Sequence, residues 1–202
     1  DDQSKTIEQM FAIGGHGVCS NASSYRFEAD VPLLFPEVNP DHTALIKMQQ
    51  QQRGWSGFIA TNPNCTSTGF TIAFRPLLDT FGITKAFVVS LQALSGAGYP
   101  GVASLDAVDN VVPYIGGEEP KVETEPQKIL GKFTGKNIKD AQFGITATCT
   151  RVPVLDGHMV CAFVETEKPC TPEQVKKAMI NFGKDFVDLN LPSSPSHLID
   201  VT

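Results

Sequence analysis

Cys65 is the residue whose type and position point most directly to chemistry. It lies in the stretch TNPNCTSTG, residues 61–69, between a short β-rich run and a helical pattern of apolar residues. A sulfur atom at the start of a helix faces open backbone N–H groups and the positive end of the helix dipole, and both favour the nucleophilic thiolate. A small buried residue that caps a helix would occupy the same position. Spacing alone therefore leaves two interpretations open, a covalent nucleophile and a structural cap.

Arg151 and His158 could complete a site around such a nucleophile. The dipeptide Asp156-Gly157 favours a two-residue hairpin, which would pair residue 155 with 158 and residue 151 with 162. Both side chains would then project from one face of a sheet, roughly 13 Å apart at about 3.3 Å per residue. A long Arg side chain and a small anionic substrate can span that gap. An edge-strand Arg and a surface-turn His that merely face water are the alternatives.

Two successive patterns must position these side chains. Residues 17–64 alternate short β-rich runs with helical or turn segments, which is the order of an α/β unit. From residue 65 to 81 apolar residues recur at helical spacing, and Gly82 follows as a stop signal. Pro76 is expected to kink this helix. The glutamines at 49–52 predict a surface loop.

The remainder of the chain predicts an α+β domain that starts near Cys65. Residues 86–91 form an apolar β run, and residues 145–165 alternate as strands on either side of the predicted hairpin turn. Thr171 with Gln174 three residues later predicts the start of a further helix. The expected fold is a mixed or antiparallel sheet with helices on one side.

Two polar stretches carry no function by themselves. The glutamates 118, 119, 123 and 125 predict a solvated acidic segment. The run Ser95-Gly96-Ala97-Gly98 can bring backbone N–H groups close to a phosphate or a cofactor, although an isolated glycine-rich run is more often a tight loop.

Composition excludes several classes of protein. The 202 residues carry 16 Lys and Arg against 22 Asp and Glu, a net charge of −6, and the scattered positive charges argue against nucleic-acid binding. No run of about 18 apolar residues predicts a membrane span. The five Cys are an odd number with no CxxC pattern and no His at ligand spacing, so we expect no disulfide framework and no metal. Without a signal peptide pattern, we expect a reducing cytoplasm.

Several motifs occur in a fixed order over nearly the whole chain. They are SNA at 20–22 with YR at 25–26, VPL at 31–33 with PEVNP at 36–40, NCTS at 64–67, LQA at 91–93 with SGAG at 95–98, Asn110 with PYIGGEE at 113–119, Glu125 with Lys128, and RVPV at 151–154 with DGH at 156–158. In this order they resemble the aspartate-β-semialdehyde dehydrogenase family, in particular its fungal and archaeal branch.

The resemblance implies roles for the reacting groups. Cys65 would be the nucleophile that forms an acyl-enzyme thioester, His158 its acid/base partner, and Gln92 the residue that orients the reacting group. Ser95 and Gly96 would lie against the nicotinamide half of NADP.

The resemblance also implies how the substrate is held. Arg151 would bind the α-carboxylate through a bidentate contact, a task to which a planar guanidinium is better suited than an ammonium. Glu125 would take the α-amino group, and Asn64 would belong to the same substrate site. Arg26 and Lys128 would meet the phosphate.

The activity implied is the NADP-dependent reductive dephosphorylation of β-aspartyl phosphate to aspartate β-semialdehyde, a step of lysine, threonine and methionine biosynthesis, in a homodimer or tetramer. Residues 1–64 resemble the end of a Rossmann-type nucleotide-binding domain, and residues 65–202 a catalytic and dimerisation domain of the glyceraldehyde-3-phosphate-dehydrogenase type that lacks its C-terminal segment. The dinucleotide-binding glycine fingerprint of the family is absent, so we expect these 202 residues alone to be inactive or nearly so.

Four alternatives remain at this level. Malonyl-CoA reductase could retain the same nucleophile, Arg and His. N-acetyl-glutamyl-phosphate reductase shares the architecture but carries Gly before its Cys, where this chain has Asn64. A Cys65/His158 hydrolase would need neither nucleotide nor phosphate, and a non-catalytic dimerisation module would need none of these residues.

Overall fold

The computed structural model describes residues 2–202. Its helices are α1 (Asp2–Ile13), α2 (Leu45–Arg53), α3 (Cys65–Phe81), α4 (Ser104–Ala107), α5 (Glu119–Ile129), α6 (Pro172–Asn181) and α7 (Lys184–Val187). Its strands are β1 (Gly17–Ser20), β2 (Phe58–Thr61), β3 (Lys85–Gln92), β4 (Lys132–Phe133), β5 (Ile138–Lys139), β6 (Gly144–Arg151) and β7 (Met159–Glu165). None of the helices in the described chain is long and apolar enough to cross a membrane.

The chain forms two compact units. Unit 1 contains the residues up to Pro63 together with Gln127–Ala141, and unit 2 contains Asn64–Pro126 and Gln142–Thr202. The division between residues 63 and 64 lies beside the one expected from the sequence. The segment 127–141, which we expected in the second domain, belongs to unit 1 instead.

Two buried side chains explain why the segment 127–141 belongs to unit 1. Asn39 Nδ2 donates to the carbonyl of Ile129 at 3.2 Å and lies 3.0 Å from His42 Nδ1. The amide donates to Nδ1, so the proton of a neutral His42 ring is on Nε2, which lies 3.1 Å from the carbonyl oxygen of Gly131. The bonds to Ile129 and Gly131 join positions about 90 residues apart in the chain, a separation at which sequence periodicity carries no signal.

Unit 1 is built on a short parallel pair, β1 with β2. Its core contains Ala12, Tyr25, Val31, Trp55 and Ile59. The surface loop predicted at 49–52 is wrong, because these residues lie within α2 and Gln49 is fully buried. The Gln49 amide donates to the carbonyls of Asp30 and Ile59 and accepts from the Ile59 N–H, so it satisfies backbone groups that burial would otherwise leave unpaired.

Unit 2 contains a three-stranded mixed sheet in the order β6-β3-β7. β3 pairs with β6 in parallel and with β7 antiparallel. The predicted hairpin between β6 and β7 is therefore wrong, because β3 lies between them. The connection after β6 crosses the end of β3, where Leu94 and Ser95 donate backbone hydrogen bonds to the carbonyls of Val154 and Leu155.

Helices pack on one face of this sheet, which confirms the predicted α+β class. α3 runs through Pro76 to its last residue, Phe81, without interruption, and buries most of its apolar side chains. α6 begins with the predicted capping box of Thr171 and Gln174 and packs on α3. The opposite face of the sheet is open, and it carries the aligned pairs Phe87 with Phe163, Val89 with Cys161, and Leu91 with Met159.

Candidate active site

Cys65 is the first residue of α3, and Asn64 caps that helix. The side-chain oxygen of Asn64 accepts the backbone N–H groups of Thr66 at 2.9 Å and Ser67 at 3.2 Å. Those two bonds fix the first turn of the helix, while the Cys65 side chain remains exposed. The structure thus disagrees with the interpretation of Cys65 as a buried cap residue, since the capping role belongs to Asn64.

His158 lies against the sulfur. Its Nε2 is 3.3 Å from Cys65 Sγ, and its Nδ1 accepts the backbone N–H of Ala93 at 3.1 Å. An amide N–H can only donate, so Nδ1 carries no proton and the neutral ring carries its proton on Nε2, toward the sulfur. The main chain of Ala93 therefore selects the tautomer of His158.

Arg151 ends β6 and is buried, with only 6% of its surface exposed. Its NH1 group donates to the carbonyl of Ala93 at 2.7 Å and lies 3.5 Å from Gln92 Oε1. No ion pair within the described chain involves Arg151, although a guanidinium has five N–H donors. Because a buried cation is rarely left without a counter-charge, the remaining donors are suited to an anionic ligand. β6 is an edge strand, yet its Arg does not face water.

The loop after β3 closes on both groups at Gly96. A Cβ atom built there would lie 2.8 Å from His158 Cε1 and 2.9 Å from Arg151 NH1. Such distances are shorter than real Cβ contacts, so a side chain at position 96 would displace the His and the Arg. Ser95, which is exposed, precedes this contact in the short 3₁₀ helix Leu94–Ala97. The structure thus brings Gly96 against His158 and Arg151, with Ser95 next to it in the chain.

The acidic stretch predicted as solvated is instead the start of α5 and the residue before it. Glu118 and Glu125 are buried, with 7% and 0% of their surface exposed. Glu125 Oε2 accepts the backbone N–H of Asn64 at 2.6 Å. Glu118 Oε1 accepts from Asn64 Nδ2 at 2.8 Å and from Gln92 Nε2 at 3.1 Å. Both carboxylates therefore hold the turn that presents Cys65.

The two other glutamates of this stretch cover the free edge of β6. Glu119 Oε1 accepts the backbone N–H of Cys149 at 3.2 Å, and Glu123 Oε1 accepts that of Ala147 at 3.0 Å. Four residues of helix rise about 6 Å and two residues of strand about 6.6 Å, so the spacings match. These carboxylates take the place of a neighbouring strand.

Arg26 and Lys128 lie together in unit 1. Lys128 Nζ donates to the carbonyls of Arg26, Glu28 and Val31 at 2.7, 2.9 and 2.9 Å, which uses all three of its protons. Burial lowers the pKa of Lys128 to about 8, although the carboxylates of Asp140, Asp30 and Glu28 oppose this. Arg26 is buried as well, and its NH2 group donates to the carbonyl of Asn21 at 2.9 Å.

Sequence reasoning missed Glu118 and the main chain of Ala93. Residues 118 and 125 are seven apart, and 119 and 123 four apart, so each pair shares a face of a helix. That spacing could have indicated an acidic helix with two binding faces. Nothing in the sequence could indicate the backbone bonds of Ala93. Among the residues described, no group of three or more His, Cys, Asp or Glu could hold a metal ion.

The chain is similar in sequence to known proteins over nearly all of its length. The sequence model for the semialdehyde dehydrogenase dimerisation domain matches residues 74–199. The aspartate-semialdehyde dehydrogenase of Archaeoglobus fulgidus is 49% identical over 200 residues, which cover 99% of this chain and 57% of that protein. The malonyl CoA reductase (NADP) of Metallosphaera sedula is 37% identical over 199 residues, which cover 97% of this chain and 56% of that protein.

The fold is also similar to that of a solved structure. The crystal structure of aspartate semialdehyde dehydrogenase with NADP from Candida albicans matches with a TM-score of 0.86 at 36% identity, over 100% of this chain and 58% of that chain. The chain spans a little over half the length of the curated relatives that it matches.

Proposed function

The chain belongs to the semialdehyde dehydrogenase family, and from this premise we propose that the protein is an NADP-dependent aspartate-semialdehyde dehydrogenase. It would convert β-aspartyl phosphate to aspartate β-semialdehyde and phosphate in the cytoplasm, for the synthesis of lysine, threonine and methionine. The observation that carries the proposal is the 3.3 Å contact of Cys65 Sγ with His158 Nε2, beside a buried Arg151 that has no ion pair among residues 2–202.

The first half of the reaction is displacement at an acyl phosphate. The Cys65 thiolate attacks the acyl carbon, the C–S bond forms, and the C–O bond to phosphate breaks, so that a thioester and inorganic phosphate result. The start of α3 and the Nε2–H of His158 both stabilise the thiolate before attack. The same N–H can donate to the oxygen that gains negative charge in the tetrahedral intermediate.

The second half is reduction of the thioester to the aldehyde, which returns the thiolate. NADPH, when bound, supplies the hydride for this step. Ser95 and Gly96 are the residues of this chain proposed to hold its nicotinamide. The absence of a side chain at Gly96 supports this role, since it lets the backbone of the loop approach His158 and Arg151 closely.

The remaining roles concern the substrate. Arg151 would bind the α-carboxylate with the N–H groups that protein carbonyls leave open, and Gln92 would present its oxygen beside it. Glu125 would meet the α-amino group, and Asn64 would hold the nucleophile turn. Arg26 is the stronger candidate for the phosphate, because every proton of Lys128 already donates to a carbonyl.

We further propose that the open face of the β6-β3-β7 sheet forms a homodimer. Phe87 and Phe163 lie with ring centroids 6.4 Å apart on that face and are 41% and 69% exposed. Aligned apolar side chains on an exposed sheet face are typical of an interface with another copy of the chain.

An assay in the reverse direction tests the activity. We expect the natural protein to form NADPH from NADP and aspartate β-semialdehyde only when inorganic phosphate is present, and Cys65→Ser to abolish NADPH formation while the thermal unfolding temperature stays nearly unchanged. Hydrolysis of an acyl thioester in the absence of both NADP and phosphate would favour the hydrolase alternative. Reduction of malonyl-CoA in preference to aspartyl phosphate would favour the malonyl-CoA reductase alternative, which the 37% identity to the Metallosphaera sedula protein keeps relevant.

A further inference from the structure

Glu118 joins two amide side chains at a single carboxylate oxygen. Its Oε1 accepts Asn64 Nδ2 at 2.8 Å and Gln92 Nε2 at 3.1 Å. Its other oxygen, Oε2, faces Lys121 Nζ at 3.4 Å. Asn64 precedes the nucleophile, whereas Gln92 ends β3 beside Arg151, so Glu118 connects two elements that meet at the site.

A carboxylate accepts hydrogen bonds and cannot donate them, so it fixes which end of each amide points toward it. The nitrogen of Asn64 faces Glu118, and its oxygen therefore faces the N–H groups of Thr66 and Ser67. The nitrogen of Gln92 faces Glu118 and Ser90 Oγ, and its oxygen therefore faces Arg151 NH1 at 3.5 Å. Without this acceptor, the Asn64 nitrogen would lose its partner while its oxygen kept the cap bonds, and the Gln92 amide would lose the bond that turns its nitrogen away from Arg151.

We propose that Glu118 is a positioning residue that orients the amides of Asn64 and Gln92 and so sets the nucleophile turn and the substrate side of the site. The inference rests on the proposed function for its catalytic consequence, but the orientation of the amides can be tested without any reaction.

The ionised form of Glu118 suits this task. Burial alone would raise the pKa of Glu118, but the hydrogen bonds from Asn64 and Gln92 and the ammonium of Lys121 outweigh it, and the pKa lies below its usual value. The carboxylate thus stays charged and purely accepting throughout the neutral range.

Glu118→Leu tests the proposal against Glu118→Gln and the control Glu123→Gln. Glu123 lies on α5, the helix that Glu118 directly precedes, but bonds to the edge of β6. We expect Glu118→Leu to lower kcat on the order of 10²-fold, as a small misplacement of catalytic groups does. The rate is divided by the fraction of Cys65 thiol that iodoacetamide alkylates, and mass spectrometry measures that fraction. Glu118→Gln keeps an acceptor oxygen and should recover at least a tenth of the wild-type rate, whereas Glu123→Gln should keep the full rate per thiol.

A second measurement does not depend on activity. In ¹⁵N-labelled protein at pH 7, the chemical shifts of the side-chain NH₂ groups of Asn64 and Gln92 should both change in Glu118→Leu. Neither should change in Glu123→Gln. Unchanged resonances, or a kcat per thiol within threefold of wild type in Glu118→Leu, would overturn the proposal. If the wild-type protein showed no NADP-dependent activity but the resonances moved as expected, the proposed function would fail and the orienting role would stand. If Glu118→Leu does not fold, Glu118→Gln carries the same comparison through its smaller shifts.

Discussion

Both units hold cationic side chains against main-chain carbonyls, but the two units differ in how many N–H donors of these side chains have a partner in the protein. In unit 1 the ammonium of Lys128 donates all three protons to carbonyls, and the guanidinium of Arg53 pairs with Asp30 and Glu28. In unit 2 the guanidinium of Arg151 has one short bond to a carbonyl and, within residues 2–202, no ion pair. A cation whose donors are used stabilises the fold, whereas a buried cation with open donors is prepared for a ligand.

The largest expected effect is on the cation with open donors. Arg151→Leu should lower kcat/KM for aspartate β-semialdehyde by about 10²–10⁴-fold, because two charge-assisted hydrogen bonds contribute roughly 1.5–3 kcal/mol each. The free energy of unfolding should change little, since Arg151 makes a single short bond to the protein. Steady-state kinetics and urea unfolding measure the two quantities. Arg75→Leu, which removes a guanidinium paired with Asp79 on α3, is the control and should retain activity; equal losses in both variants would contradict the comparison.

The next effect is on stability and concerns Lys128. Lys128→Met leaves the carbonyls of Arg26, Glu28 and Val31 without their donor, and we expect the free energy of unfolding to fall by about 2–4 kcal/mol. Urea unfolding checks this, with the exposed Lys132→Met as the control. A variant that unfolded like wild type but required far more phosphate in the assay would assign Lys128 to phosphate binding instead.

The smallest effect is a pH dependence in unit 1. The hydrogen bond from Arg53 holds the pKa of Asp30 below its ordinary value of 3.8, so the unfolded chain binds the proton more readily than the folded chain. The contribution of Asp30 is therefore complete above the ordinary pKa and is lost as the pH falls through the lowered one.

Asp30→Asn should consequently cost about 1 kcal/mol at neutral pH and should approach wild-type stability in acid. Urea unfolding at a series of pH values measures this convergence. The control is Asp41→Asn, at an exposed position, and its free energy of unfolding should differ from that of wild type by the same amount at every pH. A constant difference between Asp30→Asn and wild type down to the acid limit would show that the ion pair does not carry the effect.

Local sequence signals identified the helices and strands of unit 2 better than their pairing. The period of apolar residues and the caps located α3 and α6, since both signals lie within a few neighbouring residues. The turn at Asp156-Gly157 predicted that β6 and β7 pair, but β3 takes the place between them. Turn chemistry reports only where the chain bends, whereas strand order depends on contacts between residues about 60 positions apart.

The candidate site was predicted in part by the wrong route. Arg151 and His158 do lie together, but both meet the loop after β3 instead of projecting from a shared hairpin. The spacing around Asp156-Gly157 singled out both residues, and the family resemblance, which the comparisons confirm, supplied the roles expected of them. The contacts of Glu118 were not predicted, because a run of acidic residues usually faces solvent and the sequence does not indicate that this one is buried.

The two backbone bonds of Ala93 have a consequence for how this protein tolerates mutation. Its N–H orients an imidazole and its carbonyl a guanidinium, and every amino acid except proline supplies both groups. Replacement of the methyl group is therefore limited only by the space around a fully buried position. The relative placement of His158 and Arg151 therefore depends on the peptide chain itself, and a backbone ester at this residue, which removes the N–H and keeps the carbonyl, would release the histidine alone.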